Sequence, residues 1–218
     1  MADSFIPLDR DGMAARAARD IPEGWVVNLG IGIPTEVANF IPADREVIIH
    51  SENGVIGAGP APAPEAVNPY LVNAGTQPIT LVRGAAYVHH ADSFAIARGG
   101  HLDLTVLGAF EVSETGDIAN WARAAHEPVA QIGGAMDLAI GAKRLWVIME
   151  HTTKEGGSRL RRQCSYPLTA KGTVKRVFTN LAVLDVTPRG FEVIDLAPGI
   201  DFDTVQARTE AKLFLTRQ

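Results

Sequence analysis

An α/β fold is what this sequence predicts. Two observations carry the prediction. Short apolar runs alternate with helical segments along the chain. Several of those runs are strongly apolar throughout, as strands covered on both faces are. Composition agrees: apolar residues make up 46% and charged residues 21%, which is ordinary for a globular protein. The low hydrophobicity and high charge that keep a chain disordered are missing. A length of 218 residues suits one domain spanning 1–218 with a sizeable core.

The elements follow in order. The stretch from Asp11 to Asp20 is rich in alanine and arginine and predicts a helix, ended by Pro22-Glu23-Gly24. Trp25 to Leu29 reads as a strand, and Gly30 to Thr35 as a turn into a helix around Glu36 to Phe40. Val47 to His50 is a second buried strand, with Ser51-Glu52-Asn53-Gly54 directly after it. Gly57 to Pro69, rich in Pro, Ala and Gly, reads as an irregular loop. Ile79 to Val82 and Leu102 to Leu107 are further strands. Between them Asp92 or Ser93 caps a helix that ends at Gly99-Gly100. Ala135 to Ile140 is a short helix and Leu145 to Met149 another buried strand. Val183 to Val186 and Phe191 to Ile194 flank Thr187-Pro188-Arg189-Gly190, a hairpin turn. No internal repeat is visible.

Several function classes fall away. A formal charge of −5 argues against a nucleic-acid binder, which concentrates basic residues on one face. Cys164 is the only cysteine, so neither an internal disulfide nor a cysteine zinc cage can form. Arg161, Arg162 and Gln163 put that cysteine in a polar stretch with no glycine-rich turn beside it, which reads as structural or incidental. Met1 to Asp20 holds no apolar run of signal-peptide length, and no segment reaches the length of a membrane span. The expectation is a cytoplasmic protein.

The most informative string is Ser51-Glu52-Asn53-Gly54-Val55-Ile56-Gly57-Ala58-Gly59-Pro60. A carboxylate leaves a buried strand and enters a turn whose Asn-Gly dipeptide tolerates positive φ. Ligand crevices of open α/β sheets lie at the carboxyl ends of strands, so such a turn can aim Glu52 into one. Gly57 and Gly59 would let a ligand approach the backbone. A solvated glutamate in a surface turn is the plainer explanation of a four-residue string. The strong strand before it and a second glycine pair, in Gly133-Gly134-Ala135-Met136-Asp137, weigh against that explanation. Paired amides before a short helix can bind an oxyanion, although a helix-entry turn alone also accounts for the pair.

With these strings in hand, the chain resembles the B-type member of the two-chain family I 3-oxoacid CoA-transferases, in the succinyl-CoA:3-oxoacid and 3-oxoadipate group. The resemblance runs almost end to end. It is carried by Asn28-Leu29-Gly30-Ile31-Gly32 with Pro34-Thr35, and by Ser51-Glu52-Asn53-Gly54 with Gly57 and Gly59-Pro60. Leu71-Val72-Asn73-Ala74-Gly75, Ser93-Phe94, Arg98-Gly99-Gly100-His101-Leu102-Asp103 and Ala119-Asn120-Trp121 follow. Gly133-Gly134-Ala135-Met136-Asp137-Leu138, Met149-Glu150-His151 and Pro167-Leu168-Thr169 complete the series. Each string is weak by itself, and their order and spacing together are specific.

The resemblance implies an open, mostly parallel sheet flanked by helices. It also implies an active site between an A-type and a B-type subunit, the A-type subunit being a separate chain. It implies Glu52 as covalent nucleophile. It makes Asn53, Gly57, Gly59, Gly133 and Gly134 the candidate substrate and oxyanion contacts. Coenzyme A is then a substrate, as its thioester, and no cofactor or metal is expected. The family mechanism passes through a mixed anhydride and a glutamyl-CoA thioester, with ping-pong kinetics. Ala58 and Glu111 depart from the family pattern, as does Pro128-Val129-Ala130-Gln131-Ile132, which lacks the lysine of many acetoacetate-type relatives. These departures bear on the acid substrate, 3-oxoadipate or acetoacetate, with His89-His90-Ala91-Asp92-Ser93-Phe94 leaning to the former.

His89, His90, Asp92 and His101 invite a metal hypothesis, but adjacent histidines on an extended segment point to opposite faces. Packing, hydrogen bonding or a place in the acid pocket are the better roles. Arg98 can pair with a carboxylate or cap the helix end. Gly30-Ile31-Gly32 lacks the third glycine of a dinucleotide loop, which excludes a nicotinamide site. Two rival readings remain: an acyl-CoA hydrolase on the same scaffold, and a ligand-sensing subunit without catalysis. An intact Ser51-Glu52-Asn53-Gly54 string argues against the second.

Overall fold

A computed structural model describes residues 6–124 and 133–216. The chain opens with α1 (Arg10–Asp20), whose cap is Asp9, its carboxylate accepting from the Gly12 N–H at 2.8 Å. Met13, Ala14, Ala17 and Ala18 form the buried stripe of this helix. Then come β1 (Val26–Leu29), the short α2 (Ile33–Glu36) running into a 3-10 turn at Val37–Phe40, β2 (Ile48–Ser51), β3 (Val55–Ala58) and β4 (Leu81–Tyr87). α3 (His90–Arg98) leads to β5 (Leu104–Leu107), β6 (Glu111–Ser113) and β7 (Ile118–Ala119). After α4 (Ala135–Gly141) follow β8 (Leu145–Ile148), β9 (Leu160–Arg161), β10 (Val174–Phe178), β11 (Ala182–Thr187) and β12 (Gly190–Leu196). α5 (Phe202–Ala207) and β13 (Leu213–Leu215) end the described chain.

Ten strands make one open sheet in the order β13-β12-β11-β10-β8-β5-β1-β2-β3-β4. Its centre, β10-β8-β5-β1-β2, is parallel throughout. Both margins turn antiparallel, at β2-β3-β4 and at β10-β11-β12. A small second sheet, β7-β6-β9, packs beside it. The α/β expectation therefore holds: the middle of the sheet is parallel, and parallel pairing returns at the outer β12-β13 pair.

The two faces of the central strands bury different partners. Val27, Leu104, Val106, Trp146 and Ile148 pack on α1. Leu107, Leu145 and Val147 pack on α3, α4 and the small sheet through Ala97, Leu138, Val112 and Ile118. Alternation along a strand puts Asn28, between Val27 and Leu29, on the α3 side. Two local expectations change. Gly57 to Pro69 is not loop from its start, because Val55–Ala58 pairs with β4 on one side and β2 on the other. The cap of α3 is His89, whose Nδ1 accepts from the Ala91 N–H at 3.2 Å, so Asp92 and Ser93 lie inside the helix. An imidazole nitrogen serves as a cap here, which a Ser/Asp/Asn rule does not find.

Candidate active site

Chain order reverses on either side of β1: β2 lies to one side and β5 to the other. Such a switch point opens a crevice at the carboxyl ends of the strands. A cavity of about 530 Å³ lies there. Its walls are Gly30 and Ile31 after β1, Glu52 after β2, Gly108 to Phe110 after β5 and Met149-Glu150 after β8, with Gly133 and Gly134 ahead of α4. The segments that form these walls are the loops after four parallel strands, so residues distant in sequence meet.

Glu52 enters the cavity because β2 ends in a turn that only glycine completes. Gly54 has φ of +117°, and a Cβ on it would collide with the Val88 carbonyl. The half-buried Glu52 carboxylate accepts a hydrogen bond at Oε2 from Asn28 Nδ2, at 2.9 Å. Asn28 is fully buried and is itself held by Thr105, whose hydroxyl donates to Asn28 Oδ1 at 3.3 Å. On its other side Asn28 Nδ2 lies 3.2 Å from both Nδ1 and the main-chain oxygen of His50. His50 Nε2 meets the Ser93 hydroxyl of α3 at 2.9 Å. Burial pushes the His50 imidazole below its ordinary range, with the Glu52 carboxylate pulling partly the other way. His90 Nδ1 lies 3.1 Å from the Glu52 main-chain oxygen, and its ring meets Phe94 edge-on.

The sequence candidates divide. Glu52, Gly133 and Gly134 line one cavity. Asn53 does not; its exposed amide donates to the Val72 carbonyl at 2.8 Å, and the Ser51 hydroxyl accepts from the Ala74 N–H at 2.9 Å. These two bonds fasten the 71–77 segment to the turn. Gly57 and Gly59 face β4 and its approach rather than the cavity. A Cβ on Gly57 would press on Ala85 and Val82, and one on Gly59 would strike Thr80. Their smallness serves strand contact here.

Other tempting residues have found protein partners. Arg98 makes a two-pronged bond to Asp137, at 2.9 and 2.8 Å, which ties α3 to α4 and holds the Asp137 carboxyl below its usual range. Glu111 is buried and satisfied: Ser165 donates from both its N–H and hydroxyl, and the Tyr166 N–H adds a third bond. Burial, then Glu111, push the Cys164 thiol up to about 12, so it is protonated and a poor nucleophile at neutral pH. Among the described residues no group of three or more His, Cys, Asp or Glu is placed to hold a metal ion. The Pro128 to Ile132 departure lies outside the described residues.

Sequence reasoning missed Asn28, Thr105, His50 and Ser93 as members of the site. The signal was present: Asn28, Thr105 and His50 are polar interruptions of strongly apolar strands, and a buried polar group needs a partner. It also missed Arg123 and Arg159, which line the cavity. Arg123 lies over the Phe110 ring at 4.8 Å, and Arg159 donates to the Ala109 carbonyl at 3.3 Å.

The family model described as coenzyme A transferase matches residues 10–208. The sequence is 54% identical over 199 residues to the B-type subunit of the 3-oxoadipate CoA-transferase of Pseudomonas putida, covering 91% of this chain and 93% of that one. It is 45% identical over 203 residues to the B-type subunit of the succinyl-CoA:3-ketoacid coenzyme A transferase of Helicobacter pylori, covering 93% and 97%. The chain belongs to the coenzyme A transferase family, and these B-type relatives match it over nearly their whole length. Among solved structures, the acyl-CoA transferase YdiF of Escherichia coli O157:H7 superposes with a TM-score of 0.75 at 20% identity. That match covers 97% of this chain but only 43% of the larger protein. A variant of the decarboxylase AibA/AibB superposes with a TM-score of 0.71 at 18% identity, covering 95% of this chain and 85% of that one. The fold alone thus does not choose the chemistry.

Proposed function

We propose that this chain is the nucleophile-bearing, B-type half of a 3-oxoacid CoA-transferase, acting in the cytoplasm with a separate A-type subunit. The observation that carries the reading is the Glu52 carboxylate, held by a buried amide and facing a cavity at the switch point of the sheet. A carboxylate needs no general base at neutral pH. Oε1 attacks the thioester carbonyl of an acyl-CoA, with succinyl-CoA as donor. The C–S bond breaks, coenzyme A leaves as its thiolate, and Glu52 is joined to the acyl group as a mixed anhydride. The thiolate then attacks the Glu52 carbonyl carbon, and the acid leaves as its carboxylate. The glutamyl-CoA thioester that remains is attacked by the second acid, and the steps run in reverse. Coenzyme A is a substrate, and no cofactor takes part. Asn28 Nδ2 stays on Oε2, where negative charge gathers when the Glu52 carbonyl carbon is attacked; when Glu52 attacks the acyl thioester, the charge gathers on the substrate's own carbonyl oxygen. Gly133 and Gly134 line the same cavity and supply further backbone donors. Asn53, Gly57 and Gly59 act indirectly, by fixing the turn and strand that carry Glu52.

Arg123 and Arg159, which line the cavity, suit an acid with a second carboxylate. They favour 3-oxoadipate over acetoacetate as acceptor, in line with the more similar relative. The test is Glu52→Gln in the complete complex, which should fold and lose transfer. Wild-type complex treated with acyl-CoA should carry a coenzyme A adduct on the Glu52 peptide by mass spectrometry. Near-normal turnover of Glu52→Gln would defeat the reading. Thioester consumption that needs no acceptor acid would replace it with a hydrolase.

A further inference from the structure

The parallel register sets Thr105, Asn28 and His50 side by side on β5, β1 and β2. All three point to the α3 face, all are buried, and Ser93 of α3 closes the row. Three polar side chains in a line across the centre of a sheet would be costly unless each found a partner. Here one assignment of donors and acceptors satisfies every contact. An asparagine side chain has two N–H donors and one carbonyl. The carbonyl takes the Thr105 hydroxyl proton, so the amide nitrogen faces Glu52 and His50. One N–H goes to Glu52 Oε2; the other lies between the main-chain oxygen and Nδ1 of His50, each 3.2 Å away, and both contacts are favourable only when Nδ1 is the bare nitrogen. The imidazole proton is then on Nε2 and is donated to the Ser93 oxygen at 2.9 Å. Ser93 turns its own proton toward the Ser51 carbonyl, 3.5 Å away. The opposite tautomer would set Nδ1–H against the amide N–H at 3.2 Å. Turning the amide over to relieve that clash would bring its oxygen against the Glu52 carboxylate.

We propose that His50 is a positioning residue: with Ser93 fixing its Nε2–H tautomer, it holds the Asn28 amide in the one orientation that donates to Glu52. His50 touches no substrate and acts through Asn28. The proposal rests on Glu52 being the nucleophile. Attack by Glu52 needs one oxygen bonded and the other free, and attack on it needs the bonded oxygen to remain the carbonyl oxygen, so a rotating amide would misdirect the carboxylate.

Four variants in the complete complex separate this role from mere packing: His50→Leu, His50→Asn, His50→Gln and Ser93→Ala. His50→Leu removes the side-chain acceptor, leaving only the main-chain oxygen of residue 50 beside the amide, and should lower kcat about 10- to 100-fold, with KM for acyl-CoA nearly unchanged. His50→Asn keeps an oxygen where Nδ1 stood and should restore kcat to within about three-fold of wild type. His50→Gln keeps a donor toward Ser93 but no acceptor toward Asn28 and should resemble His50→Leu. Ser93→Ala should fall between, because the tautomer is then free. Turnover is scored per folded molecule, from melts run alongside. A His50→Leu enzyme with full kcat would overturn the proposal. So would His50→Asn and His50→Gln with equal kcat, a comparison that still decides if the leucine variant does not fold. Failure of the nucleophile reading is a separate result, visible as an active Glu52→Gln enzyme.

Discussion

At Gly134 a neighbour, rather than a backbone angle, forbids a side chain. Its φ of −87° suits any residue, yet a Cβ there would fall 2.6 Å from the ring of Phe94. Gly134→Ala should therefore lower stability by about 1–3 kcal/mol through overpacking, measured by urea unfolding. Phe94→Leu in the same background should recover most of that loss, and a cycle with no coupling would remove Phe94 as the cause. Turnover of the double variant then reports on the backbone donor without the clash. Glu52 itself was legible from its string because the strand, the Asn-Gly turn and the carboxylate stand together in sequence. The partners of Glu52 were not, since Asn28 is 24 residues away and becomes a neighbour only through strand pairing. Glu111 carried no such signal either. Its burial depends on Ser165 and Tyr166, more than 50 residues on.

Between elements the clearest polar joint is His151, just beyond β8. Its Nδ1 meets Thr179 after β10 at 3.0 Å, and its Nε2 meets Thr209 after α5 at 2.8 Å. Burial, then the nearby Arg208, lower its pKa from the ordinary 6.5 to about 4. The unfolded chain therefore takes up a proton that the folded one refuses. Stability from this group is complete above the unfolded value and is lost as pH falls from about 6.5 toward 4, by on the order of 3 kcal/mol. Urea midpoints measured between pH 7.5 and 4.5 should fall steeply in wild type and much less in His151→Gln, whatever the variant's absolute stability. Equal slopes would show that another group carries the acid sensitivity. Among elements, α1, β1, β2, β5, β8, α4 and the β11-β12 hairpin were legible, because each combines a clear period or apolar run with Pro or Gly punctuation. β6, β7, β9 and β13 have two or three residues each, too few for any period to appear. β10 is masked in the sequence by Lys175 and Arg176 in its middle, Lys175 being exposed and Arg176 drawn in by Asp185 and Asp20.

At the scale of the whole molecule, β4 is an open edge that a partner subunit would cover. It is the edge strand next to the pair that carries Glu52, and nearly every residue in it is exposed on both faces. Long uncovered edge strands recruit other chains. Apolar side chains crowd the same margin: Tyr70 is 95% exposed, Tyr87 69%, and Val82 and Val67 also stand open. Ile31, 69% exposed, continues the apolar surface into the cavity wall itself. Water hydrolyses the anhydride of the proposed mechanism readily and the thioester slowly, so closing the open side of the cavity during turnover would protect the anhydride and favour transfer. An A-type subunit seated over this margin would cover the edge, bury the tyrosines and complete the site in one step. Expressed without a partner, this chain should therefore fold and still transfer no coenzyme A from succinyl-CoA to a 3-oxo acid. It should self-associate in a concentration-dependent way, seen by sedimentation, and an A-type subunit should both restore transfer and suppress that association. Full activity from the lone, monomeric chain would remove the need for a second subunit. Tyr70→Lys together with Val82→Lys should weaken the pairing with the A-type subunit while leaving the fold intact. A pair that binds as tightly as before would place the interface elsewhere on the molecule.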